Sequence, residues 1–171
     1  MDKYSLPQKI LYGLVLALAV LQFFQIDKTN PVTDPELDFM NIVDTPDEVA
    51  TILKTACYDC HSSHTVYPWY TNLQPVGWWV QDHVNHSKEY LDFSIWGEYS
   101  EDRADHKMEE IVEYTLNGEM PLRSYTWMHP EARLTDEQRD MFAAWFEEQR
   151  VLLQAEEESS EQETESESSD G

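Results

Sequence analysis

The chain has 171 residues and a formal net charge of −23, with a sequence pI of about 4.3. A surface this acidic repels phosphate backbones and excludes nucleic acid as a partner. Apolar residues reach 41%, with six Trp and only two Cys, so the chain has material for a core and is neither wholly disordered nor a disulfide scaffold.

From Ile10 to Ile26 no residue is charged. Extended back to Leu6, with Lys9 reaching to the interface, the stretch gives about 20 residues, roughly 30 Å of helix and one bilayer core. Residues 1–26 therefore read as an N-terminal signal-anchor transmembrane helix. Lys3 and Lys9 precede the apolar run and Asp27 follows it. That asymmetry predicts a single pass through the bacterial inner membrane, with the rest of the chain in the periplasm. A cleaved signal peptide is the rival; cutting after Ala17-Leu18-Ala19 would leave apolar Val20–Ile26 on the product. Residues 27–44 contain Asn30-Pro31 and Asp34-Pro35 and read as a linker.

Residues 45–153 read as an all-α domain. Thr45-Pro46-Asp47-Glu48 predicts a capped start, and Val49, Ile52, Leu53 and Ala56 lie on one helical face. A second helix is expected from Val76 to about Tyr90, after a turn at Asn72–Pro75. A third begins at Ser100, carries Met108, Ile111 and Val112, and ends near Gly118. The last opens at Thr135-Asp136-Glu137-Gln138 and carries Met141, Phe142, Trp145 and Phe146. Residues 154–171 hold acids and no apolar residue after Ala155, so composition predicts disorder.

Both cysteines fall in Cys57-Tyr58-Asp59-Cys60-His61. C-x-x-C-H is the attachment signature of c-type haem. Two thiols three residues apart on a helical turn can reach the two vinyl groups of one porphyrin, and the adjacent imidazole can bind its iron. The rivals are a dithiol at a helix start, a zinc site using Cys57, Cys60, His61 and His64, and a plain disulfide. The dithiol is at the wrong helix pole, and adjacent Cys60 and His61 suit a tetrahedral metal poorly. For the iron's sixth position, Met120 in Asn117-Gly118-Glu119-Met120-Pro121 is the first candidate. Met with His raises the reduction potential and favours electron transfer. Met128, His83, His86 and His129 compete with it. Tyr67, Trp69 and Tyr70 could wall a haem, Tyr125 and Trp127 could cover its distal side, and the carbonyl of Pro68 or Pro75 could hold the His61 N–H.

The runs ACYDCHSSHTVYPWYTNLQPVGWWVQDHV, LDFSIW and GEMPLRSYTWMHPEARLT resemble a family of haem-binding domains of exported bacterial proteins related to cytochrome c, over about residues 27–150. The resemblance implies a cytochrome c-like helical fold. It places Cys57, Cys60 and His61 at the haem and matches Met120 to the family's Met-Pro loop. The expectation is one covalently attached haem c in a membrane-anchored cytochrome that carries single electrons in a respiratory chain and is not an enzyme. Its redox partners would dock through basic patches. A peroxidase-like enzyme and an accessory haem subunit or sensor are the alternatives.

Overall fold

The computed structural model describes residues 4–169, and every regular element among them is helical. Helix α1 covers Leu6–Leu21, with Pro7 in its first turn and no buried residue. It stops short of the apolar run's end. Hydrogen bonds of a tighter turn continue to Phe24, but Gln22 turns aside to bond the backbone of Gln74 in both directions, Nε2 to its carbonyl at 3.1 Å and Oε1 from its N–H at 2.9 Å. The expected span of about 20 residues is thus cut to 16, and among the described residues no helix is long and apolar enough to cross a membrane.

The stretch 27–44 packs rather than hangs. A 3₁₀ turn at Pro35–Leu37 leads into α2, Phe39–Ile42, whose Asp38 cap accepts the Met40 N–H. Phe39 is fully buried and forms an aromatic nucleus with Phe93, Trp96 and Phe146, at centroid distances of 5.4, 4.8 and 5.6 Å. A single aromatic in a proline- and acid-rich stretch carries no periodic signal, which is why composition reads this segment as linker.

Helix α3, Asp47–Ile52, starts one residue later than the cap pattern predicts. The Thr45 hydroxyl donates to the Val43 carbonyl and caps nothing. Five residues of π-helix, Leu53–Cys57, join α3 to α4, Tyr58–His61. The Tyr58 N–H reaches back to the Leu53 carbonyl. One inserted residue rotates the downstream helix by about 100°. Leu53 and Tyr58 face the core, buried, while Cys57, Cys60 and His61 are half-buried at its edge.

Helix α5, Val76–Tyr90, has its predicted bounds and packs on α4. A 3₁₀ run, Phe93–Glu98, supplies two of the core aromatics. Helix α6, Glu101–Leu116, starts at Ser100 as expected, and Gly118 lies just beyond it with φ +72°, a backbone state that favours glycine. Helix α7, Arg123–Met128, forms where the sequence predicts loop. Helix α8, Asp136–Ser169, opens with a capping box in which Thr135 and Gln138 bond each other's backbone N–H. It lies along α6, burying Phe142 and Phe146. Leu153 is the last of its described side chains in the core cluster, and the backbone stays helical to Ser169, across the residues that composition reads as disordered. Glu is a good helix former, which favours helix in this acid-rich stretch.

Candidate functional site

The phase shift at Leu53–Cys57 sets Cys57 and His61 on the wall of a cleft of about 470 Å³. Its other walls come from α5 (His83, Ser87), α6 (Lys107, Ile111) and the loop with Met120. Cys60 lines a second, mostly apolar cleft of about 250 Å³ with Tyr67, Tyr70, Trp79, Tyr125 and Met128. His83 and Leu122 line both clefts, so the two share a wall.

His61 is fixed from behind. Its Nδ1 lies 3.1 Å from the Leu91 carbonyl. A carbonyl only accepts, so Nδ1 carries the hydrogen and Nε2 keeps its lone pair. Burial holds the imidazole below its usual pKa, with the Leu91 carbonyl and the Asp92 charge opposing that shift. The ring is neutral at pH 7, the form a metal needs. The expected partner carbonyls of Pro68 and Pro75 are not used; Leu91, at the end of α5, was hidden because nothing in sequence brings residue 91 to residue 61.

The motif's backbone is tied down by buried hydroxyls. The Ser62 hydroxyl donates to the Tyr58 carbonyl at 2.7 Å, and the Ser63 N–H donates to Ser94 Oγ at 2.9 Å. Asp59 accepts the Val66 N–H on one oxygen and the Tyr125 hydroxyl on the other, at 3.0 and 2.8 Å. Beneath them the Tyr58 hydroxyl donates to buried Asp38 at 2.9 Å.

Both cysteines are free thiols and half-buried. Burial, reinforced by the neighbouring Cys60, pushes the Cys57 thiol up to about 12, and burial with the Asp59 charge pushes Cys60 up to about 11. This is the reverse of a reactive dithiol, whose thiolate is stabilised. The zinc reading also loses a ligand: His64 leans toward Asp38, Nε2 to Oδ2 3.6 Å, and stacks on Tyr58. Among the described residues no group of three or more His, Cys, Asp or Glu side chains could hold a metal ion.

Met120 lines the cleft of Cys57 and His61, whereas Met128 lines that of Cys60. The Met120 backbone is pinned at both ends: its N–H donates to the Tyr114 carbonyl at 3.0 Å, and its carbonyl accepts from Arg139 Nη1 at 2.7 Å. His83 donates its Nδ1–H to the Trp79 carbonyl at 2.8 Å and leaves Nε2 bare. His86 lines the larger cleft and lies 3.5 Å from Glu89. His129 is engaged on both nitrogens, by Glu131 and by the Tyr70 hydroxyl, which withdraws it from the candidates. Trp69 and Trp127 turn largely to solvent instead of walling either cleft.

These residues fit a haem. Two neighbouring clefts each present one protonated thiol, one neutral imidazole offers a bare nitrogen, and the surrounding surface is largely apolar and aromatic. No curated protein and no solved structure matches the chain. The family model for a haem-binding domain, however, matches residues 16–148, most of the sequence and all of this site, and the chain belongs to that family.

Proposed function

We propose that this protein is a membrane-attached, mono-haem c-type cytochrome that passes single electrons between periplasmic redox partners. One observation carries the reading: Cys57, His61 and Met120 line one cleft, with the His61 Nδ1–H on the Leu91 carbonyl and its Nε2 bare. A bound haem supplies an iron that alternates between ferrous and ferric. Cys57 and Cys60 would hold it by thioether bonds, and His61 and Met120 would bind its iron.

The chain's own work is to orient and to exclude water. The Leu91 carbonyl sets the ring of His61 and raises its basicity as a donor. Arg139 and the Tyr114 carbonyl hold the Met120 backbone at the cleft. The aromatic side chains of the second cleft lower the dielectric beside Cys60. Electron transfer of this kind asks the chain for no acid–base residue.

Attachment to the bilayer is supported by α1, whose apolar side chains are nearly all exposed. With the tighter turn to Phe24, the helical backbone reaches about 28 Å, close to a bilayer's hydrocarbon thickness. The −23 charge suits basic partners, and transfer to them slows as salt rises.

The test is the ferric spectrum of the haem-loaded protein. The far-red sulfur-to-iron charge-transfer band is expected, and Met120→Ala removes it while Met128→Ala and His83→Ala keep it. A band that survives Met120→Ala overturns the distal assignment, and a colourless band on a haem-stained denaturing gel overturns the whole reading.

A further inference from the structure

Residues 60–81 contain no Asp, Glu, Lys or Arg, in a chain where 26% of residues are charged. The other long uncharged stretch is 10–26. The fold brings the two together. Besides the paired Gln22 and Gln74 contacts, Gln25 Nε2 donates to the Asn72 carbonyl at 3.3 Å, and Lys28 Nζ donates to Asn72 Oδ1 at 2.6 Å. Trp78 Nε1 donates to the Phe24 carbonyl at 2.9 Å, Gln81 Nε2 to the Asp27 carbonyl at 2.7 Å, and Asn30 Nδ2 to the Thr65 carbonyl at 2.9 Å. The exit of α1 is therefore clamped onto the segment just after the haem motif, with no slack between them.

The clamped segments expose large apolar side chains: Phe23 at 85% and Trp69 at 68%, with Phe24, Leu73, Val76 and Trp79 also open. A patch of this kind on an otherwise strongly acidic protein marks an interaction surface. Amphipathic aromatics are the side chains that settle at the headgroup level of a bilayer. A basic protein partner would seek a cluster of acid, and in these segments the single acid, Asp27, stands beside Lys28. A surface without net charge, continuous with an exposed apolar helix, meets lipid instead.

We propose that these residues form a collar seated in the bilayer interface, which holds the haem domain against the membrane in one orientation. This rests on the attachment reading above. Val76 and Trp79 also line the cleft of Cys60, so seating the collar brings that cleft's mouth to the lipid surface.

Two pairs of like residues test it. Leu73 and Leu152 are equally exposed, at 50% and 51%, and Val76 and Val151 are both open; Leu152 and Val151 lie on α8. The full-length, haem-loaded protein is reconstituted into phosphatidylcholine–phosphatidylglycerol vesicles, sedimented, and oxidised with hydroxyl radicals. Loss of oxidation at Leu73 and Val76 relative to the same haem-loaded protein before reconstitution, with Leu152 and Val151 still oxidised, supports the collar. Equal oxidation within each pair on sedimented protein overturns it and leaves attachment through α1 standing. Protein that stays in the supernatant overturns attachment, and the collar with it. Protection in native membranes but not in lipid vesicles overturns the collar in favour of a protein partner.

Discussion

The helical run from Asp47 to His61 has two sides with opposite fates. On one side Val49, Ile52 and Leu53 are closed into the aromatic nucleus of Phe39, Phe93 and Phe146. On the other, Cys57, Cys60 and His61 border clefts of about 470 and 250 Å³. One side packs against the chain itself, and the other borders the clefts of a haem-binding domain. Stability and binding should therefore be separable by mutation, because the π-helical offset at Leu53–Cys57 divides them.

Replacing both Cys57 and Cys60 by Ser is the sharpest break. Covalent haem on a denaturing gel should vanish entirely, while the helical far-ultraviolet circular dichroism persists. Loss of both signals together would mean that the two sides are one cooperative unit. Phe146→Ala attacks the closed side; a cavity at a fully buried aromatic costs about 3–5 kcal/mol, read by denaturant unfolding.

pH distinguishes the sides without mutation. Each thiol is raised from an ordinary value near 9 to about 12 for Cys57 and about 11 for Cys60, so the folded chain holds its protons more tightly than the unfolded one. That contribution is complete below pH 9 and is lost as pH rises toward 11 and 12. The haem-free chain should lose stability across that window, and the thioether-linked protein should not, because it has no thiol to titrate. His61 acts at the other end: its lowered pKa means that stability falls as pH drops below the ordinary value of 6.5. Tyr58→Phe removes the hydroxyl that Asp38 accepts and should cost about 1–3 kcal/mol in thermal unfolding. The smallest effect belongs to Arg150→Ala, on the closed side's outer edge. It loses the 3.0 Å pair with Asp105 that joins α8 to α6, worth about 0.2–1 kcal/mol at this accessibility.

Much of the site was readable because its information is local. C-x-x-C-H is contained in five residues, and the bounds of α5, the Ser100 cap and the Thr135–Gln138 box are set by neighbours in sequence. The parts that escaped depend on distant residues or on single side chains. Phe39 looks like linker until Trp96 and Phe146 fold over it. The Leu91 carbonyl and the Tyr125–Asp59 bond join residues 30 and 66 apart. The end of α1 is set by Gln74, not by the hydropathy of Phe23 and Phe24. The π-helical turn has no compositional mark, although it determines which way the motif faces.

The oxygen that steadies His61 belongs to the main chain. Every amino acid at position 91 would present the same carbonyl, so no replacement there deletes the contact; a variant can only shift it by moving the end of α5. Adjustment from this side is thus indirect, through the end of α5 or through the Asp92 charge near the ring. In the proposed cytochrome, the replaceable side chains that line the clefts, Met120 and its loop among them, are where variants would act directly on the potential.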